Sequence, residues 1–262
     1  MKLNTISFLK PGYFNLKLKV MVLASVALSF SLADARAINV IPKLLEVKEL
    51  PGEFILSAKT KIVSAKDLSN ESSLLQQYLK NDHQLNVSSA KKKASSSIEL
   101  LLSAKALKTT NPEAYELKIS KKGIKIVANH AKGVFYGIQT LRQLVRYNNG
   151  LLSVTSAEIF DEPRFGWREF MFDEARYIKG KEVVKQLLDQ MAYLKMNTFH
   201  WHLTDNTGWR VQIKKYPLLT EIGAKRDSSE IKIKRVRGGF YDGKPHSGYY
   251  TQGDIKEIVA YA

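Results

Sequence analysis

From residue 115 to 128 the chain alternates. Tyr115, Leu117 and Ile119 are separated by polar neighbours, and Ile124, Ile126 and Ala128 repeat the pattern after Lys121-Lys122-Gly123. A period of two on either side of a turn sequence predicts a β-hairpin. The period then changes. After Gly133, the residues Val134, Ile138, Leu141 and Val145 are spaced for one face of a helix. Upstream, Glu53–Ser57, Lys61–Ser64 and Ser97–Leu102 read as short strands, and Glu71–Lys80 as a helix with Leu74, Leu75 and Leu79 on one side. Leu151–Ile159 returns to strand character. No internal repeat is evident, and residues 38–160 predict a small α/β domain.

Asp161-Glu162-Pro163 breaks this rhythm, because proline disfavours helix at the residue before it. Beyond it, Arg168–Ala175 predicts a strand and Lys181–Leu194 a helix. That helix carries the apolar stripe Val183, Val184, Leu187, Leu188, Met191 and Leu194. Asn197–Leu203 predicts a second strand. Thr251-Gln252-Gly253-Asp254 resembles a capping box ahead of a second helix. Strand, helix, strand, helix is the opening of a parallel α/β layout. A closed barrel needs about eight such units and roughly 250 residues. Residues 161–262 therefore predict either the start of a barrel or something smaller.

The second strand carries the most chemistry, in NTFHWHLTDNTGWR (197–210). Side chains alternate along a strand, so Phe199, Trp201 and Leu203 share one face and His200, His202 and Thr204 the other. Asp205 follows at the carboxyl end, where α/β folds bind ligands. Two readings stand on the residues alone. His200 and His202 could hold a metal ion with Asp205 as a further ligand, as in barrel hydrolases with a His-x-His pair. Alternatively, Trp201, Trp209, Arg210, Asp205 and Arg168 are suitable to grip a sugar.

Composition narrows the setting. The 262 residues are 44% hydrophobic and 25% charged, ordinary for a globular protein, and contain no cysteine. Disulfides, thiolate metal sites and a cysteine nucleophile are excluded. At the N-terminus Lys2, Lys10, Lys17 and Lys19 precede the 13-residue apolar run Val20–Leu32 and then Ala35-Arg36-Ala37. Such a run is short for a bilayer span, and the order basic, apolar, small predicts a signal peptide over 1–37. Export to the periplasm or the medium is expected, with no stable membrane anchor after cleavage. The net charge is +16, of which residues 1–37 hold five bases and one acid, leaving +12. Lys91-Lys92-Lys93 and the stretch Lys232–Arg237 hold much of it. Without a nucleic-acid-binding module, this charge reads as a solvated face or a contact for anionic envelope polymers, and nucleic acid is not an expected partner.

DEPRFGWREFMFDEARY and the run from KEVVKQLLDQMAYLKMN through FHWHLTDNTGWRVQIKKYPLLTEIGAKR closely resemble the opening of the catalytic domain of glycoside hydrolase family 20, the β-N-acetylhexosaminidases. Upstream, IPKLLEVKELPGEFILSAKTKIV and GVFYGIQTLRQLV are similar to that family's non-catalytic α/β domain. The resemblance covers roughly Ile38 to Ala262. It implies a small α/β accessory domain followed by the first βα units of an incomplete (β/α)8 TIM barrel. It also implies removal of terminal β-linked N-acetylglucosamine or N-acetylgalactosamine from glycans, by a route in which the substrate's acetamide replaces the enzymic nucleophile. No metal or organic cofactor is implied. By the same resemblance Arg168 binds sugar hydroxyls. Asp205 supports a histidine that contacts the catalytic acid, His200 and His202 form pocket wall, and Trp209 and Arg210 are loop structure. The family's adjacent Asp-Glu pair lies on a later strand. Asp161-Glu162 and Asp173-Glu174 are not in the matching context, so residues 1–262 alone are expected to be inactive. Two positions depart from the family pattern: Glu169 stands where glycine is usual, and could crowd the strand or pair with Arg168, and Asn206 stands where a second aspartate is usual. A non-enzymatic carbohydrate-binding protein is the alternative.

Overall fold

The computed structural model describes residues 38–103, 107–231 and 240–262. The expected signal segment and the basic stretch Lys232–Arg237 lie outside the described residues.

The first part of the chain builds one mixed sheet. Its elements are β1 (Glu46–Leu56), β2 (Lys61–Ser64), α1 (Ser69–His83), β3 (Ser88–Ser89), β4 (Ser97–Leu102), β5 (Tyr115–Ser120), β6 (Gly123–Ala128), α2 (Ala131–Leu144), β7 (Arg146–Asn148) and β8 (Leu151–Asp161). The strand order is β1-β8-β5-β6-β4-β2-β3, with β7 also pairing β8. The β5–β6 hairpin forms as the alternation predicts, with Leu117 opposite Ile126 and a turn one residue tighter than expected, because Gly123 pairs with Ser120. Leu117, Ile119, Ile124 and Ile126 are buried together with Ile98 and Leu100 of β4. Each such side chain contributes about 1.5–3 kcal/mol of transfer free energy. On the solvent face one row reads Lys48, Glu158, Lys118, Lys125 and Glu99 across five strands, a ladder of mixed sign.

Helix α2 lies close against the inner face. A Cβ at Gly133 would stand 2.2 Å from the Ala114 carbonyl oxygen, and one at Gly137 would stand 2.6 Å from Ile126 Cγ2. Glycine spaced by one helical turn lets the backbones approach. Strand β1 begins at Glu46, earlier than the expected Glu53. Pro51-Gly52 lies inside the strand. The pair sits at a register shift between Glu49 and Glu53 on the sheet's edge strand, where a bulge is tolerated and discourages edge pairing.

The second part contains β9 (Glu169–Asp173), α3 (Lys181–Tyr193), β10 (Thr198–His202), β11 (Thr204–Asp205), β12 (Gly208–Trp209), α4 (Leu218–Glu221), β13 (Lys225–Arg226), β14 (Glu230–Ile231), β15 (Phe240–Tyr241), β16 (His246–Ser247) and α5 (Gln252–Tyr261). Strands β9 and β10 are parallel, with Glu169 opposite Thr198 and Asp173 opposite His202, and α3 connects them. This is the βαβ unit that the hydrophobic pattern predicts. Val184, Tyr250 and Ile258 form a small core, against which Phe172, Phe199, Trp201 and Leu203 pack. Helix α5 starts at the expected capping box, with Thr251 Oγ1 accepting the Asp254 N–H at 3.1 Å and Asp254 Oδ2 accepting the Thr251 N–H at 3.0 Å. No helix among the described residues is long and apolar enough to cross a membrane.

A polar seam joins the sheet domain to the βαβ unit. The Lys195 ammonium, 8% exposed, donates to Asp161 Oδ2 at 2.7 Å and to the Tyr115 hydroxyl at 2.8 Å. Tyr115 also donates to Asp161 Oδ2 at 2.8 Å. Burial pushes the Lys195 ammonium below its ordinary value and the Tyr115 phenol well above its own; the Asp161 carboxylate opposes the first shift and adds to the second. The Arg142 guanidinium lies 4.0 Å from the Tyr78 ring centre and 5.1 Å from that of Tyr193, joining α1, α2 and α3.

Candidate functional site

The carboxyl ends of β9 and β10 form a rim. It is built around a buried carboxylate, Glu174, just after β9. Glu174 Oε1 accepts the backbone N–H groups of Lys179 at 2.5 Å and Gly180 at 3.2 Å, which wraps residues 174–180 into a tight loop. Glu174 Oε2 accepts from Trp201 Nε1 at 2.9 Å and from the Tyr250 hydroxyl. Burial and then the hydrogen bond to Glu174 drive the Tyr250 phenol far above its ordinary value. The apolar face of β10 and the start of α5 are thereby fastened to the loop.

Arg210 is the second buried anchor, fully inaccessible to solvent. Its guanidinium donates to the carbonyl oxygens of Ala175 at 3.1 Å, Ala224 at 2.7 Å and Gly248 at 3.0 Å. Three loops therefore meet on one side chain. Gly208 permits this: a Cβ there would lie 2.4 Å from Arg210 Nη2. Arg210 was expected to be loop structure, and the structure makes it the hub of the loops.

On this base stands an exposed charged cluster. Arg176 projects from the 174–180 loop and reaches both Asp173, at the end of β9, and Asp205 Oδ2 at 3.0 Å. Asp205 belongs to β11, which turns through Asn206-Thr207 into β12. Asp205 Oδ1 accepts the Asn206 N–H at 2.6 Å. Partial burial works to raise the Asp173 carboxyl, but hydrogen bonds from the Arg176 backbone and guanidinium outweigh it and hold the group below the ordinary value. The guanidinium's hydrogen bond to Asp173, then the charges of Asp173 and Asp205, raise Arg176 in turn. His202 lies beside the same acids, 3.5 Å from Asp173 and 3.8 Å from Asp205.

Arg168 is elsewhere. It precedes β9, at the strand's amino end, so the five-residue strand separates it from the rim by about 16 Å. Its guanidinium, 15% exposed, donates to Glu113 Oε2 at 2.5 Å, the Tyr136 hydroxyl at 3.2 Å, and the carbonyls of Lys195 at 2.7 Å and Phe165 at 2.6 Å. Arg168, expected to bind sugar hydroxyls, belongs instead to the domain seam, and Arg176 is the arginine beside Asp205. A cavity of about 60 Å³ adjoins Arg168, Lys195 and Glu113. It has room for water, whereas ligand pockets usually exceed about 300 Å³.

Glu169 does not pair with Arg168. It accepts from Trp167 Nε1 at 2.8 Å and lies 2.9 Å from His200 Nδ1. His200 and His202 share a face, as the alternation predicts, with ring centres 6.5 Å apart. Each has its own acidic neighbours, and the described residues contain no group of three or more His, Asp or Glu placed to hold a metal ion. The two Asp-Glu pairs are both structural. Asp161 holds Lys195, and Glu162 accepts from Thr109 Oγ1 at 2.7 Å. Asp173 holds Arg176, and Glu174 is enclosed by its four donors.

The chain is similar to known proteins. Residues 37–162 match the family model "Glycosyl hydrolase family 20, domain 2", and residues 165–262 match "Glycosyl hydrolase family 20, catalytic domain". A beta-hexosaminidase of Porphyromonas gingivalis is 37% identical over 235 residues, covering 87% of this chain and 29% of that protein. A beta-hexosaminidase of Vibrio furnissii is 36% identical, covering 87% of this chain and 36% of that protein. Among solved structures, the family 20 exo-β-N-acetylglucosaminidase of Vibrio harveyi superposes with a TM-score of 0.74 at 32% identity, over 85% of this chain and 34% of that one. The β-N-acetylhexosaminidase of Streptomyces coelicolor superposes with a TM-score of 0.71 at 28% identity, over 85% of this chain and 43% of that one. The chain thus spans about a third of the length of the relatives it matches. Matched from residue 37 to 262 by two adjoining models of one family, the chain belongs to glycoside hydrolase family 20.

Proposed function

We propose that these residues form part of an exported β-N-acetylhexosaminidase that removes terminal β-linked N-acetylglucosamine or N-acetylgalactosamine from glycans. The observation that carries the reading is the meeting of Arg176 with Asp173 and Asp205 at the carboxyl rim of two parallel strands, in a chain of this family. An exposed guanidinium, pre-oriented by two carboxylates, presents a rigid fork of donors to sugar hydroxyls. We assign that contact to Arg176 in place of Arg168. Asp205 keeps its supporting role, with one oxygen held by Arg176 and the other by the Asn206 N–H.

The chemistry is substrate-assisted retention. The acetamido oxygen attacks the anomeric carbon, displacing the leaving oxygen. A carboxylic acid protonates that oxygen and, as carboxylate, then takes a proton from the water that opens the cyclic intermediate. A second carboxylate orients the acetamide. The described residues supply neither carboxylate, since both Asp-Glu pairs are committed to folding contacts.

The test uses the protein made from its natural reading frame, assayed in the exported fraction. It should cleave a chromogenic β-N-acetylglucosaminide and leave the matching β-glucoside, which lacks the acetamide, intact. Arg176→Ala should lower kcat/KM by about 10²-fold, the scale of one lost charged hydrogen-bonding contact in the transition state. Cleavage of both substrates alike, or an unchanged rate for Arg176→Ala, refutes the reading.

A further inference from the structure

The loop that carries Arg176 is fastened on its outer side by a histidine. The His246 Nε2 accepts the Ile178 N–H at 3.1 Å. His246 lies in β16, directly opposite Arg226 of β13. The Tyr177 ring meets the imidazole edge-on at 4.9 Å and carries the Arg226 guanidinium at 4.8 Å on its face. Arg226 itself donates to the carbonyls of Arg176 at 2.5 Å and Thr207 at 3.0 Å, so it links the Arg176 loop to the turn that follows Asp205. The β13–β16 ribbon is therefore the outer brace of the rim.

We propose that His246 is a positioning group for Arg176: as a neutral acceptor it pins the Ile178 N–H and the loop to the β13–β16 brace, and protonation in mild acid releases them. An imidazolium has no acceptor at Nε2 and would set a donor against a donor. The groups facing His246 are Arg226 on β13, Arg210 after β12, Lys179 on the loop itself, Tyr177, and Asp242 after β15. Burial, followed by the three cations, lowers the imidazole's affinity for a proton, and Asp242 alone opposes them. Because the folded group binds its proton less readily than the unfolded one, the contact is fully present above the ordinary histidine value of about 6.5 and is lost as pH falls through the folded value.

What the brace does for sugar binding rests on the function proposed above, but the brace can be tested without any sugar. In protein labelled with [15N]isoleucine, the Ile178 amide is assigned by its absence in Ile178→Val and followed from pH 8 to 5, beside the His246 Cε1 proton. Both should titrate together with a midpoint below about 6.5, and amide exchange across residues 176–179 should speed roughly tenfold beyond the intrinsic pH effect. In His246→Gln the Ile178 transition should vanish. An Ile178 amide that does not move while His246 titrates overturns the proposal, as does an identical transition in His246→Gln. If circular dichroism shows that His246→Gln is unfolded, coincidence of the two wild-type titrations decides. Because neither readout involves glycan or turnover, failure here leaves the hexosaminidase reading standing, and the reverse holds too.

Discussion

Asp161→Ala lowers the stability of this protein by about 3–5 kcal/mol, the usual cost of removing one partner from a buried ion pair. Three facts combine at this position. Asp161 is 11% exposed on its side chain and Lys195 8%, so little solvent reaches the ammonium left behind. The carboxylate also accepts from the Tyr115 hydroxyl and, through Oδ1, from the Leu45 N–H at 3.1 Å. And Lys195 sits at φ +58, a left-handed conformation that costs a non-glycine residue about 1–2 kcal/mol per residue. The backbone holds that conformation where the side chain is clamped by Asp161 and Tyr115. Lys195→Gly relieves the strain and leaves Asp161 its Tyr115 and Leu45 donors but no counter-charge, so it too should destabilise, by less than Asp161→Ala. Urea unfolding checks both: the midpoint should fall for each, in that order. A shift below about 1 kcal/mol for Asp161→Ala would mean that the seam is wet and the pair unimportant.

Glu174→Ala should be the comparable lesion in the βαβ part, about 3–5 kcal/mol. Its carboxylate receives four donors, from Lys179 N, Gly180 N, Trp201 Nε1 and the Tyr250 hydroxyl. It is also the acid that favours the charged form of the buried Arg210. Alanine leaves the donors unmatched around a hole, and Arg210 without a compensating charge. Glu174→Gln keeps the volume and one acceptor but turns an amide donor toward donors, so it should recover only part of the loss. Trp201 reports the local event: its fluorescence should change in Glu174→Ala before global unfolding in urea. A Glu174→Ala protein as stable as wild type would show that the loop is held by other contacts.

Much of this was legible in the chain. Alternation located the β5–β6 hairpin, the stripe from Val183 to Leu194 located α3, and Thr251 with Asp254 marked the start of α5. Those signals are local, so the sequence carries them whole. The polar seam was not legible. Arg168 reads as a sugar contact and Lys195 carries no signal at all, because their acceptors, Glu113 and Asp161, lie 55 and 34 residues away. Asp161 looked like the start of a linker, yet it is the last residue of β8. The family resemblance gives the sugar contact to Arg168, which opens the apolar run of the first strand. The rule that ligands gather at carboxyl ends selects the arginine after the run. Glu174 and Arg210 needed the packing of three loops before either could be recognised as an anchor.

Under the proposed function, the rim at Arg176 and Asp205 belongs to a sugar-cleaving site whose reacting carboxylates are not Asp161, Glu162, Asp173 or Glu174. Loss of an acid–base group typically costs 10² to 10⁴ in rate. The direct measurement is the release of chromophore from a β-N-acetylglucosaminide by the purified, folded 262-residue protein. The account predicts no release above the buffer blank; steady turnover that survives repeated purification would contradict it.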